Sequence, residues 1–181
     1  MEETKDLITT YSGVKFDPIN PKPDMIQIND IAHALSMMCR ANGHCLFFYS
    51  VGQHSINCAI EAKARNLSKK VQLACLLHDG SEAYMADVVR PYKKHLDEYL
   101  VFEDRLQTAI WQKFCEGGLS EEETKQVFRV DDIILYNEFE KTMRKNVLEK
   151  DEPCVGDIIL HPVEMNYIED LFLKMFNEIM N

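Results

Sequence analysis

The chain has 181 residues, 46% apolar and 28% charged, with a formal net charge of −10. That length fits one domain with a substantial core, and the acidic balance disfavours a nucleic-acid polymer as partner, because backbone binding needs clustered Lys and Arg. No apolar run approaches the roughly 20 residues of a membrane span, and Met1–Asp6 lacks the basic-then-apolar order of a signal peptide, so a cytoplasmic location without a membrane partner is expected.

Residues 1–27 read as an irregular segment packed on the domain, punctuated by Asp17-Pro18 and by Asn20-Pro21-Lys22-Pro23, with a short hairpin around Thr10–Phe16. Residues 28–181 read as helix almost throughout, which makes the class an all-α, single-domain bundle. A first helix is expected from an N-cap at Asn29 or Asp30, with Ile31, Ala34, Leu35 and Met38 on one face, ending before Asn42-Gly43. Ser50 with Gln53 predicts a capping box for the second helix, and Ser68 caps a third that runs into His78-Asp79. After Arg90-Pro91 a long helix carries Leu96, Leu100, Leu106, Ile110 and Phe114 and stops at Gly117-Gly118. Ser120 and Glu123 form another capping box, opening a helix to about Met143; residues 151–159 read as a loop. His161-Pro162 begins a last amphipathic helix with Met165, Leu171, Phe172, Met175 and Ile179, suited to core packing or to a dimer contact. The six cysteines show no CxxC pair, and most lie in apolar helical patterns, where a reduced thiol acts as a small hydrophobe.

Chemistry concentrates at Leu76-Leu77-His78-Asp79-Gly80-Ser81-Glu82. Adjacent imidazole and carboxylate at a helix end can reach one ion, and together they suit a first-row divalent metal with open positions. Two ligands hold an ion poorly, so partners are sought on other helices. His54 lies one turn into the helix opened by Ser50, and Asp131 lies four residues after Val127 and three before Ile134, on an apolar stripe where an unpaired carboxylate is expensive. Phe128, Asp132, Tyr136 and Phe139 form a rival stripe, which leaves Asp131 and Asp132 both open on periodicity alone.

The order of these motifs resembles the HD-domain metal-dependent phosphohydrolases, in the branch of the bacterial 5′-deoxynucleotidases. The matching stretches are Ile31-Ala32-His33-Ala34-Leu35-Ser36, Cys39-Arg40-Ala41-Asn42-Gly43-His44, Phe48-Tyr49-Ser50-Val51-Gly52-Gln53-His54-Ser55, Leu77-His78-Asp79-Gly80-Ser81-Glu82-Ala83-Tyr84, Asp87-Val88-Val89-Arg90-Pro91 and Val130-Asp131-Asp132. The resemblance implies an HD-type helical domain with His54, His78, Asp79 and Asp131 as metal ligands, and it favours Asp131 over Asp132. It also implies Glu82 and Asp87 as the acidic pair acting on the attacking water or the sugar-phosphate, and Arg40 as a phosphate contact. The stretch between Arg40 and His54 departs from the deoxynucleotidases, so nucleoside contacts are not carried over from it.

On this basis the expected activity is hydrolysis of a deoxynucleoside 5′-monophosphate to nucleoside and phosphate. A deoxynucleoside triphosphate triphosphohydrolase is the rival within that chemistry, and a non-catalytic nucleotide-binding or regulatory module is the rival outside it. One divalent transition metal, Mn, Co, Zn or Fe, is the expected cofactor, with Mg as the remaining alternative, although two imidazoles disfavour Mg alone as the tightly held ion. His44, Arg90 and Lys93 are further expected substrate contacts beside Arg40, and the partners are a small phosphorylated molecule and other copies of the chain in a homo-oligomer.

Overall fold

The computed structural model describes residues 7–149 and 151–181; the expectation drawn from Met1–Asp6 lies outside the described residues. Eight α-helices among the described residues carry the fold, with one two-stranded hairpin, an all-α architecture as the patterning predicts. None of these helices is long and apolar enough to cross a membrane.

The hairpin pairs β1 (Ile8–Thr9) with β2 (Lys15–Phe16) in antiparallel register, Ile8 opposite Phe16. It is pinned to α1 (Ile28–Met37) because the Asp30 carboxylate accepts from the Ser12 backbone N–H at 2.6 Å and the Ser12 hydroxyl at 2.8 Å. Asp30 is therefore spent on a tertiary contact, and the helix starts after Gln27, before the expected Asn29 or Asp30 cap. Phe16 and Ile26 are fully buried, and the Phe16 ring lies 4.4 Å from that of Tyr84.

The first helix also ends earlier than Asn42, because Met38 turns extended and its carbonyl accepts from Val51 N–H at 2.9 Å. Arg40 N–H donates to Tyr49 carbonyl at 2.9 Å, and Cys39 faces Ser50 in an antiparallel bridge. Residues 39–50 thus form a loop closed at its neck, turning tightly through Ala41, Asn42 and Gly43, all at positive φ.

Helix α2 (Val51–Ala64) is the centre of the molecule, packed against α1, α3 (Lys69–Leu76), α7 (Glu121–Thr142) and α8 (Met165–Met180), with every residue from Val51 to Ala59 buried. Ser50 caps it by accepting from Gln53 N–H, but the Gln53 side chain does not complete the expected box. It reaches instead to the carbonyls of Ile159 and His161, both at 3.0 Å. Gly52 is required where α1 and α2 cross, since a Cβ there would lie 3.1 Å from Ser36 N and 3.2 Å from the Leu35 carbonyl carbon.

After α3, capped by Ser68, the chain turns through His78–Ser81 into the short α4 (Glu82–Met85) and α5 (Arg90–Lys93). The third helix stops at Leu76, just short of His78. Helix α6 (Asp97–Phe114) buries Leu106 and Ile110 and ends ahead of Gly117 and Gly118, both at positive φ. The box of Ser120 and Glu123 opens α7 as expected. Helix α8 begins at Met165 and closes the core with Ile168, Phe172 and Phe176. All six cysteines are free; Cys58, Cys75 and Cys115 are buried, whereas Cys39, Cys45 and Cys154 are only partly so.

Candidate metal centre

Three elements bring the expected ligands together. His54 projects from the first turns of α2, His78 and Asp79 from the turn after α3, and Asp131 from the middle of α7. The two imidazole Nε2 atoms lie 3.1 Å apart. Asp131 Oδ1 is 3.2 Å from His54 Nε2 and 3.6 Å from His78 Nε2. Asp79 offers Oδ1 at 3.3 Å from His78 Nε2 and Oδ2 at 3.6 Å from His54 Nε2. Asp132, by contrast, is half exposed and pairs with Arg90, so of the two stripes of α7 the one that faces the imidazoles is that of Asp131.

The opposite ring nitrogens are committed elsewhere. His54 Nδ1 lies 2.8 Å from Glu138 Oε2, and His78 Nδ1 lies 2.8 Å from the Cys75 carbonyl. Each acceptor takes an Nδ1–H, so a bound cation would meet a lone pair on each Nε2 once it displaces any proton there. Two lone pairs at 3.1 Å repel unless a cation or a proton lies between them. Donors bound to one ion at 2.0–2.1 Å stand roughly 2.9 to 3.4 Å apart in octahedral or tetrahedral geometry, close to the spacing found. The donor set, two imidazoles and two carboxylates with orienting partners behind the rings, fits a divalent transition ion.

Sequence reasoning did not find Cys58. Its Sγ lies 3.6 Å from His54 Nε2, and with His54, His78 and Asp131 it belongs to a group whose ligand atoms all fall within 4.8 Å of one another. The available signal was its place one helical turn after His54. Without an ion, burial pushes the Cys58 thiol up to about 12, and a coordinated cation would be needed to draw off its proton. Asp79 lies outside that group but also faces both rings, and its burial is outweighed by His78, His54 and Arg40, which hold the carboxyl below its usual range. Asp131 is held well below that range, again against burial, by the two imidazoles.

The remaining expected residues surround this group unequally. Glu82 is 5% exposed, and its Oε2 has no hydrogen-bond partner. Burial first, then Asp79 and Asp87, push its pKa well above the ordinary range. Asp87 is partly buried and follows Ala86, whose φ of 131° and ψ of 155° are unusual for a residue with a Cβ. Arg40 is turned inward, with Nη1 donating to Asp79 Oδ2 at 3.3 Å and Nε 3.8 Å from Glu138 Oε2. Arg90 donates from Nη2 to Asp131 Oδ2 at 2.8 Å and from Nη1 to Asp132 Oδ1 at 2.9 Å. Lys93 donates to Glu103 at 2.6 Å and lies 3.7 Å from Glu82. His44 is exposed on the 39–50 loop, and among the described residues no contact joins it to the ligand group.

Comparison with known proteins gives no function. No family model matches the chain. It is 38% identical over 109 residues to the uncharacterized protein YfdR of Escherichia coli strain K12, covering 59% of this chain and 57% of that protein. It is 35% identical over 108 residues to an uncharacterized protein of Rhodobacter capsulatus, covering 57% of this chain and 55% of that one. The match thus spans little more than half the length of either relative.

Proposed function

We propose that the protein is a metal-dependent phosphohydrolase of the HD-domain class, acting on a deoxynucleoside 5′-monophosphate. The observation that carries this reading is the convergence of His54, His78, Asp79 and Asp131 within 3.1–3.6 Å contacts, each imidazole backed through its other nitrogen. A divalent ion held by these four side chains supplies Lewis acidity and a more acidic water.

The chain's own groups have separable tasks. Arg90 takes Oδ2 of Asp131 and so leaves Oδ1 facing the imidazoles. Arg40 stands beside Asp79 at the inner edge of the pocket, where its guanidinium can meet a phosphoryl oxygen. Glu82, buried and with its proton affinity raised by burial and by Asp79 and Asp87, is the first candidate to take or give a proton. Asp87, whose charge helps raise the proton affinity of Glu82, is the second candidate acid or base. Lys93, drawn towards Glu82 and Glu103, sets the field around that carboxyl.

Around the centre, Asp79, Glu82, Asp87, Glu103, Asp131, Asp132 and Glu138 set seven carboxyl groups, of which Glu82 has a raised proton affinity, against the three cations Arg40, Arg90 and Lys93. A divalent ion narrows that deficit, and each cation already has a carboxylate partner. This favours the smaller charge of a monophosphate over a triphosphate. The same reading carries a homo-oligomer in the cytoplasm.

The test is anion-exchange product analysis with Mn²⁺- or Co²⁺-loaded protein and ribo- and deoxynucleoside mono- and triphosphates. Nucleoside plus phosphate from deoxynucleoside monophosphates is expected, with no turnover by Asp79→Ala. Intact triphosphate beside nucleoside would move the activity to the triphosphohydrolase branch. No turnover of any nucleotide with metal bound would keep the site and overturn the substrate.

A further inference from the structure

Glu138 stands out among the buried ionisable groups because it backs His54 from behind and no task beyond that contact has been assigned to it. It lies on α7 two turns after Asp131, so both face the same way, and it is fully buried. An uncompensated carboxylate in such a place is very costly. Here every lone pair has company. Oε2 faces His54 Nδ1 at 2.8 Å and Arg40 Nε at 3.8 Å, while Oε1 accepts from the Tyr49 hydroxyl and from Asn57 Nδ2 at 3.4 Å. Asn57 is itself fixed, since its Oδ1 accepts from Ile159 N–H at 2.8 Å and its Nδ2 donates to Ile159 carbonyl at 2.9 Å.

The two ligand imidazoles are therefore backed differently. His78 rests on a neutral peptide carbonyl, whereas His54 rests on a charged and immobilised carboxylate. A carboxylate behind an imidazole fixes its tautomer and strengthens the far nitrogen as a donor. We propose that Glu138 is a positioning residue of the metal centre, taking the Nδ1–H of His54 so that Nε2 is held, as a strengthened donor, towards His78, Asp79 and Asp131. This rests on the metal reading given above.

Two measurements test it. Calorimetric Co²⁺ titration of the wild type, Glu138→Gln and Glu138→Ala separates charge from contact: Gln keeps an acceptor and loses the charge, Ala loses both. The expected rise in the Co²⁺ dissociation constant is roughly tenfold for Gln and about 100-fold for Ala, with helix content by circular dichroism unchanged. Long-range ¹H–¹⁵N spectra of the Zn²⁺-loaded wild type need no variant, and should show His54 protonated at Nδ1 and not at Nε2. A proton on Nε2, or equal Co²⁺ affinity in folded Glu138→Ala, overturns the assignment alone. A wild-type chain that takes up neither ion overturns the metal reading and this inference with it.

Discussion

Replacing Asp131 by Asn tests the centre through stability, with no substrate involved. The substitution keeps the shape of the side chain and removes the charge whose Oδ1 stands 3.2 Å from His54 Nε2. An ion that binds only the folded chain, supplied at 100 times its dissociation constant, stabilises by about 2.7 kcal/mol. For a domain of this size, about 1 kcal/mol shifts the melting temperature by roughly 2–4 °C. The wild type should therefore gain on the order of 5–11 °C when Co²⁺ or Mn²⁺ replaces EDTA. Loss of a direct ligand should weaken binding by at least the ~100-fold found for outer-shell partners. At the same ion concentration that leaves about 0.4 kcal/mol of stabilisation, or roughly 1–2 °C. Asp132→Asn is the matched control, because Asp132 is half exposed and bonds only Arg90 at 2.9 Å. It should keep the full gain in differential scanning fluorimetry. Equal metal-induced shifts in the wild type and Asp131→Asn would falsify the ligand assignment.

Glu82→Gln should uncouple stability from activity: a neutral amide removes a buried, half-satisfied carboxylate, so the melting temperature holds or rises while kcat falls by about 10²–10⁴. Unimpaired turnover by that variant would remove Glu82 from proton handling. Ala86→Gly should stabilise by on the order of 1 kcal/mol, since a Cβ at φ 131° and ψ 155° costs about 1–3 kcal/mol and glycine returns part of it as unfolded-state entropy; no gain in denaturant melts would mean that no strain is stored beside Asp87. Ser120→Ala should cost about 1 kcal/mol at neutral pH. The backbone N–H of Ser120 holds Glu123 below its ordinary carboxyl range, so the Glu123 contribution is present above about pH 4.5 and lost as pH falls through the lowered value. That backbone N–H remains in the variant and the lost bond from Glu123 N–H to the Ser120 hydroxyl does not titrate, so both proteins should lose the Glu123 contribution together on acidification while most of the gap between their melts persists; full convergence by pH 3 would contradict this.

The parts of the fold legible in the sequence were those written in short-range chemistry. Ser50, Ser68 and Ser120 each accept the N–H three residues on, so α2, α3 and α7 begin where the capping residues put them. Boundaries set by tertiary contacts were not legible. Asp30 looked like a cap but holds the hairpin, and Gln53 looked like half of a box but holds the 159–161 backbone. That grip, with Ile159 bound to Asn57, keeps the chain extended past His161-Pro162 and delays α8 to Met165. At the site, adjacency made His78-Asp79 visible and an apolar stripe made Asp131 visible. Glu138 continues the stripe of Val127, Asp131 and Ile134, a signal that was present, but its neighbours Tyr136, Asn137, Phe139 and Glu140 read as a polar and aromatic run that hides an acid that is fully buried.

The interior of α2 explains how one helix serves both ends of this arrangement. Gln53, Asn57 and Glu61 recur every four residues and line one face; they bind Ile159, His161, Val155 and Gly156 through side-chain to backbone hydrogen bonds of 2.8–3.1 Å. His54 and Cys58 share the neighbouring face and look into the metal centre. Asn57 touches both systems, because its amide also reaches Glu138 and the Tyr49 hydroxyl. A buried helix with this many polar groups is stable only while nearly all are partnered. Loosening the 151–161 loop therefore frees Asn57, then Glu138, then the ring of His54. On this reasoning Asn57→Ala, a residue that touches neither metal ligand nor substrate, should weaken Co²⁺ binding in the same direction as Glu138→Gln and by less. An Asn57→Ala protein that melts lower but binds Co²⁺ as tightly as the wild type would show that the loop and the centre are energetically separate.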